Sequence, residues 1–319
     1  METLILTEEE VERLITMDEA IESVEKAFEL YALGKAEMPP KVYLEFEKGD
    51  LRAMPAYLMG YAGIKWVNSH PGNPEKGLPT VMALMILNDP ETGFPLAVMD
   101  ATFLTSLRTG AAGGVAAKYL ARKDSEIVGF VGCGRQAYFQ FEALKRIFDI
   151  KEVKAYDLRE SAAREFVEHC RKAGIDAKIT DLKKTCMCDI LVTTTPSKKP
   201  VVKAEWVGEG VHINAIGADA AGKQELEIEI LLKAKVVVDD VEQAVHGGEI
   251  NVAISQGHMK PESIHATLGE IVAGIKPGRE NDEEITVFDS TGLAIQDIAV
   301  GKVVFENAKE GMKLRFFRA

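Results

Sequence analysis

The sequence predicts an α/β fold: a doubly wound parallel sheet of the Rossmann type together with a separate α+β domain. Three observations carry this. Residues 127–157, IVGFVGCGRQAYFQFEALKRIFDIKEVKAYD, read as strand, glycine turn, helix and a second strand that ends on an acid. Beyond them, helical and short apolar segments alternate as far as residue 289, and strands end in polar, glycine-containing loops at 194–197, 217–219 and 289–292. The first hundred or so residues instead give two helices followed by strand-like runs broken by turns, which is no dinucleotide fold.

Taken in order, the N-terminal METLILTEEEVERLI is acidic and helical in character, with Thr7 and Glu10 spaced as a capping box. A second helix has Ile21, Val24, Phe28 and Tyr31 on one face and stops near Gly34, before Pro39 and Pro40. Strand-like runs follow at 42–46, 51–54, 61–67, 80–87 and 95–100, with NDPETG (88–93) as a loop between the last two. TSLRTGAAGG (105–114) opens a helix of small residues that can lie close to another backbone or to a ligand.

In the central unit, residues 127–131 form a strand buried on both faces, and Ala137, Phe141, Leu144 and Phe148 repeat at helical spacing. Gly132 permits the tight turn. Gly134 has no Cβ, so a pyrophosphate can approach the backbone, where helix N–H groups and the positive end of the dipole hold phosphate. Asp157 can accept from both hydroxyls of an adenosine ribose and would repel a 2′-phosphate, which favours NAD. Arg135 and Arg159 keep NADP open. The plain alternative is an ordinary strand-to-helix turn with a solvated Asp157. Further on we expect helices at 161–173, 181–186, 225–234, 241–256, 261–275 and 291–310, and strands at 175–179, 190–194, 211–216, 236–239 and 285–288. The expected domains are 1–118 with 296–319, and 119–295.

Across 319 residues no apolar run reaches membrane-spanning length, and the acidic start is neither a signal nor a transit peptide. A soluble, cytoplasmic protein is expected. A net charge of −12 argues against nucleic acid or an anionic membrane as the main partner. Four cysteines show no secreted framework, and the C-x-C pair Cys186 and Cys188 reads as reduced thiols, with no metal site expected.

Four cations, Lys41, Arg52, Lys65 and Arg108, stand in apolar or small-residue surroundings. A desolvated lysine near other cations has its ammonium form disfavoured, which suits acid–base work; the plain alternative is a stem that snorkels to the surface. Arg52 can grip a carboxylate bidentately or merely pair with Glu45 or Glu47. Asp219 at a strand end can be a base or a turn acid. His70 braces a loop, and His212 reads as a satisfied core histidine.

These residues have a familiar setting. KWVNSHP (65–71), GLPT (77–80), DPETG (89–93), LRTGAA (107–112), GCGRQA (132–137), GAD (217–219), GK (222–223) and FDSTGLAIQD (288–297) together resemble the ornithine cyclodeaminase/μ-crystallin family over nearly the whole chain, and come closest to its archaeal alanine-deaminating branch. The resemblance implies a homodimer joined through the α+β domain, with the active site between that domain and the NAD domain. It implies an acid–base pair, Lys65 and Asp219, and an Arg108 shared between substrate carboxylate and cofactor; from the residues themselves, Arg52 with Lys41 and Arg108 is expected to bind the substrate carboxylate. It assigns cofactor binding to Arg108, Thr109, Gly132, Gly134, Arg135, Gln136, Asp157, Arg159, Ser197, Gly217, Ala218, Asp219, Lys223 and Ser290. Two departures matter. Arg52 stands where cyclodeaminase-like members carry an acid that holds a distal ammonium, so a small monoamino acid fits better than ornithine. Ala221 replaces a frequent proline. The implied activity is reversible NAD-dependent oxidative deamination of L-alanine to pyruvate and ammonia. A cyclodeaminase or ketimine reductase, or a crystallin-like NAD(P)H-binding protein without catalysis, are the alternatives.

Overall fold

The computed structural model describes residues 1–317, and the chain divides into two compact units: Met1–Arg108 with Leu293–Ala319, and Thr109–Gly292. The division falls within the small-residue helix, earlier than the 118/119 boundary read from the sequence.

The first unit is an eight-stranded, mostly antiparallel sheet. Its strands are β1 (Thr3–Leu6), β2 (Ala36–Glu37), β3 (Val42–Phe46), β4 (Gly49–Leu58), β5 (Tyr61–Ser69), β6 (Val81–Asn88), β7 (Pro95–Asp100) and a C-terminal strand, Met312–Leu314. The order runs from the C-terminal strand through β1, β7, β6, β5 and β4 to β2, with β3 also on β4. Helices α1 (Glu8–Leu14) and α2 (Met17–Ala32) begin on Thr7 and Thr16, each closing a full capping box, worth about 1 kcal/mol apiece.

Strand β1 corrects the helical reading of the N-terminus. TLIL pairs in parallel with β7 and antiparallel with the C-terminal strand, which buries Thr3, Leu4 and Leu6. Neither partner is visible locally in the sequence. The strands Ala36–Glu37 and Met312–Leu314 also escape a sequence reading, being too short to show alternation. β4 is longer than the predicted 51–54 and runs through Pro55. Its pairing with β3 stops at Ala53 and that with β2 starts at Tyr57, so Pro55 sits where a missing N–H costs no ladder bond.

The helix Ala294–Asn307 belongs to this unit and is buried along much of its length. It lies against the sheet so closely that a Cβ on Gly301 would fall 1.8 Å from Met85 Cε. It is shorter than the predicted 291–310: Asp239 holds the N–H groups of Thr291 and Gly292 in a non-helical turn, each at 2.7 Å.

The second unit is a fully parallel eight-stranded sheet. Its strands are β8 (Ile127–Val131), β9 (Glu152–Tyr156), β10 (Asp176–Ile179), β11 (Ile190–Thr193), β12 (His212–Ala215), β13 (Lys235–Val238), β14 (Ala266–Thr267) and β15 (Thr286–Asp289). The order β10-β9-β8-β11-β12-β15-β13-β14 reverses direction at β8, the switch point of a doubly wound sheet. Helix α3 (Thr102–Leu120) leads in from the first unit; α4 (Arg135–Ile147) and α5 (Glu160–Lys172) pack on β8 and β9. Phe166 there lies edge-on to Phe130, with centroids 4.8 Å apart. The helix predicted over 241–256 is broken into Val241–Gly247 and Asn251–Ser255 at Gly248, where a Cβ would meet the Asp289 carboxylate at 2.4 Å. The 261–275 prediction resolves into a 3-10 turn, Pro261–Ser263, the two-residue β14 and a short helix, Leu268–Val272. Among the described residues no helix is long and apolar enough to cross a membrane.

Candidate functional site

In the first unit the sheet alternation sends Arg52 of β4 and Lys65 of β5 to the buried face, since their cross-strand partners are Val67 and Met54. Lys65 is 1% exposed, so it does not snorkel. Its Nζ lies 2.7 Å from Asp297 Oδ2 on the C-terminal helix. The other carboxylate oxygen, Oδ1, takes a hydrogen bond from Arg108 Nε at 3.0 Å, and Arg108 Nη1 donates to Gln296 Oε1 at 3.1 Å. One buried carboxylate is thus shared by two buried cations. Burial pushes Lys65 down to about 7; Asp297 pulls it up, while Arg108 and Lys41 push it down further.

Arg52, 8% exposed, forks onto Asp50 with Nε–Oδ1 at 2.7 Å and Nη2–Oδ2 at 3.1 Å, and its guanidinium lies over the Tyr43 ring. Arg52 thus pairs with Asp50 of its own strand, an acid the sequence reading did not name. Lys41 precedes β3 and is half-buried.

In the second unit the glycine turn follows β8. Gly132 has φ +92° and accommodates no side chain without meeting Thr194 and Thr195 at 3.0 Å, so the backbone itself demands glycine there. Gly134 is different. Its φ is −78°, and an added Cβ would meet nothing within 4 Å. Neither strain nor packing in this chain requires glycine at that position. What its absent side chain leaves is open space at the start of a 13-residue helix that no side chain caps, which is what an approaching phosphate group needs. Among the described residues, Gln136 Oε1 and Ser290 Oγ are two of the several buried polar atoms of this unit that have no hydrogen-bond partner. The residues present therefore fit a dinucleotide.

Asp157 closes the turn: Oδ2 accepts from Cys133 N and Oδ1 from Arg159 N, both at 2.8 Å. A carboxylate has about four acceptor sites, so capacity for ribose hydroxyls remains. Arg135 and Arg159 are exposed. Thr109 is buried in α3, and its carbonyl accepts from Gln140 Nε2 at 2.9 Å. Ser197 Oγ donates to Lys199 O at 2.6 Å. After β12, Gly217 N donates to Glu225, Ala218 is fully buried, and Asp219 pairs with Lys223. His212 is a neutral core histidine held by Thr286 and Asn214, pushed down to about 3 by burial. Asn68 of the first unit braces His70, at 3.0 Å.

Several residues at these places escaped the sequence reading. Asp297 and Gln296 carried one signal, polarity inside an otherwise apolar helix. Buried Glu225, Glu249 and Asp239 gave none, and Asp289 only its place at the polar end of a predicted strand. Glu225 accepts from Thr193 Oγ1, Thr195 N and Gly217 N, tying the ends of β11 and β12 together, and Glu249 accepts from the N–H groups of Glu225 and Leu226. Burial raises both carboxyls, Glu249 well above the usual range with Glu225 adding to it, and pushes Asp289 up to about 8. Such a network stiffens the loops at the carboxyl edge of the sheet.

Comparison with known proteins gives this geometry a context. The profile of the Ornithine cyclodeaminase/mu-crystallin family matches residues 1–312. Alanine dehydrogenase of Archaeoglobus fulgidus is 74% identical over 321 residues, covering 100% of both chains. A solved archaeal alanine dehydrogenase dimer with bound NAD superposes with a TM-score of 0.98 at 74% identity, covering 99% of this chain and 100% of that one. The Δ1-pyrroline-2-carboxylate reductase of Thermococcus litoralis, solved with NADH and L-proline, gives 0.93 at 43% identity, over 96% of this chain and 97% of that one. The chain is a member of the ornithine cyclodeaminase/mu-crystallin family.

Proposed function

We propose that this protein catalyses the reversible NAD-dependent oxidative deamination of L-alanine to pyruvate and ammonia. The reading is carried by one observation: a buried cationic cluster in which Lys65 and Arg108 share the single carboxylate of Asp297, with Arg52 on the same sheet face. That cluster is one negative charge short, and a substrate carboxylate supplies it. The similarity to alanine dehydrogenases at 74% identity supports the choice of alanine.

The second unit holds the dinucleotide, with its phosphates at Gly132, Gly134 and the start of α4, and its adenosine ribose at Asp157. Arg135, Gln136, Arg159, Ser197, Gly217, Ala218, Lys223 and Ser290 line the same ligand, as do Arg108 and Thr109. Bound there, NAD would supply the hydride acceptor for Cα. The chain manages everything else. Arg52, Lys41 and Arg108 hold the carboxylate, fixing the orientation of Cα. Lys65, poised near neutrality, takes a proton as a free amine and returns one as an ammonium. Asp219 is its partner in moving protons to and from water and the leaving amine.

The direct test is a panel of L-alanine, L-ornithine, L-proline, pyruvate with ammonia, and Δ1-pyrroline-2-carboxylate, with NAD and NADP cofactors read by absorbance. Alanine-dependent NAD reduction is expected. Proline formed from ornithine, with no reaction of alanine, overturns the reading. Replacing Arg52 by alanine should raise KM for L-alanine about 30-fold or more, since a charged hydrogen-bonding grip is worth roughly 2 kcal/mol or more. Affinity for NAD, measured by calorimetry, should stay within about twofold.

The protein forms a homodimer through the first unit. The sheet face opposite Lys65 presents Val42, Leu44, Trp66, Leu84 and Ile86, all more than a third exposed, and register places Leu84 beside Trp66 and Ile86 beside Ile64. A contiguous apolar face of this kind marks an association surface. Leu84→Glu should shift the mass measured by light scattering from twice the chain mass to 34.9 kDa. An unchanged dimer would exclude this face.

A further inference from the structure

We infer that Asp297 is a positioning residue for Lys65: its carboxylate bridges the Lys65 amine and the Arg108 guanidinium, and so governs where that amine points and which protonation state it holds. The inference rests on the proposed use of Lys65 in proton transfer, and gives that residue a control element on a different part of the chain.

The geometry separates this from an ordinary ion pair. Asp297 is 2% exposed, and each of its oxygens serves a different cation, Oδ1 for Arg108 Nε at 3.0 Å and Oδ2 for Lys65 Nζ at 2.7 Å. A guanidinium is a permanent cation in proteins. With Lys65 neutral, Arg108 and Asp297 form a compensated pair. With Lys65 protonated, the cluster carries one net positive charge, matched when a substrate carboxylate arrives. Lys65 can therefore change charge without leaving Asp297 unpaired in the interior, which a simple two-residue buried pair cannot do without a large penalty. Across the strands, Lys65 faces Met54 of β4 and Met85 of β6. The charged groups acting on it are Asp297 from the C-terminal helix, Arg108 from α3, and Lys41 from the segment before β3. Asp297 favours the protonated amine, against burial and two cations. Gln296, one residue earlier, steadies the same assembly through Arg108 Nη1 and through the N–H of Leu293 at the helix start.

The test reads Lys65 directly. Lysine 13Cε NMR shifts are followed across pH in the wild-type protein and in Asp297→Asn, with the Lys65 signal assigned by its loss in Lys65→Arg. The amide keeps the shape and removes the charge, so the Lys65 midpoint should fall by about one pH unit or more, kcat with L-alanine should drop at least tenfold, and NAD affinity should hold. Asp297→Glu should return the midpoint toward wild type while kcat stays reduced at least threefold, because the longer arm displaces the amine. A wild-type midpoint and kcat in Asp297→Asn overturn the inference. If that variant does not fold, Asp297→Glu decides: wild-type kcat with a displaced midpoint also overturns it. Absence of alanine-dependent NAD reduction in the wild-type protein defeats the functional reading instead, and leaves the NMR titration as a test of the bridge.

Discussion

Gly134→Val should abolish measurable dinucleotide binding while leaving the fold intact. At φ −78° and ψ −170° the backbone is extended, a conformation valine favours, and no atom of the chain lies within 4 Å of the Cβ position. The fold loses only the small difference between glycine and valine at a helix start, about 1 kcal/mol. A ligand approaching the N-terminus of α4 meets the new methyl groups in the space it needs. We expect Kd for NAD to rise at least about 100-fold, or roughly 2.8 kcal/mol, by calorimetric titration, with a melting temperature lower by only a few degrees. Equal NAD affinity in the variant and wild type would remove the turn from the cofactor site. Gly132 is the wrong place for this experiment, because its positive φ and the threonines at 3.0 Å make any substitution a folding defect first.

Lys65→Met should lower kcat with L-alanine by about a thousandfold, within the span attributed to a positioned acid–base group. Methionine keeps most of the volume. Asp297 retains Arg108 at 3.0 Å, so no carboxylate is left unpaired in the core. NAD affinity should change less than about twofold, since every residue assigned to the phosphates and ribose lies in the other unit. The pH profile supplies a second readout. Burial lowers Lys65 from its ordinary value to about 7, so below that pH the ammonium dominates and cannot accept a proton. In the oxidative direction kcat/KM should rise with pH through about 7, and Lys65→Met should lose that limb. A variant that keeps both rate and limb assigns the proton transfer elsewhere.

What the sequence disclosed and what it withheld follow from the range of the interactions. The glycine turn, α4 and the acid at the tip of β9 are local, since a strand, a turn and an amphipathic helix each write their period into adjacent residues. The buried lysine was legible because a cation inside a strand pattern is itself an anomaly. Its carboxylate partner was not: Asp297 lies 189 residues from Arg108, and no local pattern encodes so distant a contact. The same holds for β1, which is a strand only because β7 and the C-terminal strand flank it. Glu225 and Glu249 look like surface acids in the sequence, and only the convergence of separate strand ends makes them interior groups.

The first unit is written in two pieces, with the entire second unit between them. During synthesis, the second unit can condense as it leaves the ribosome, since all its strands are contiguous in the chain. The earlier segment must wait. Until residue 297 emerges, Lys65 and Arg108 have no anion to accompany them into the interior, and β1 lacks the neighbour at 312–314. The part made first is thus completed last, so the lysine enters its dry setting only in a nascent chain that has already made its second unit.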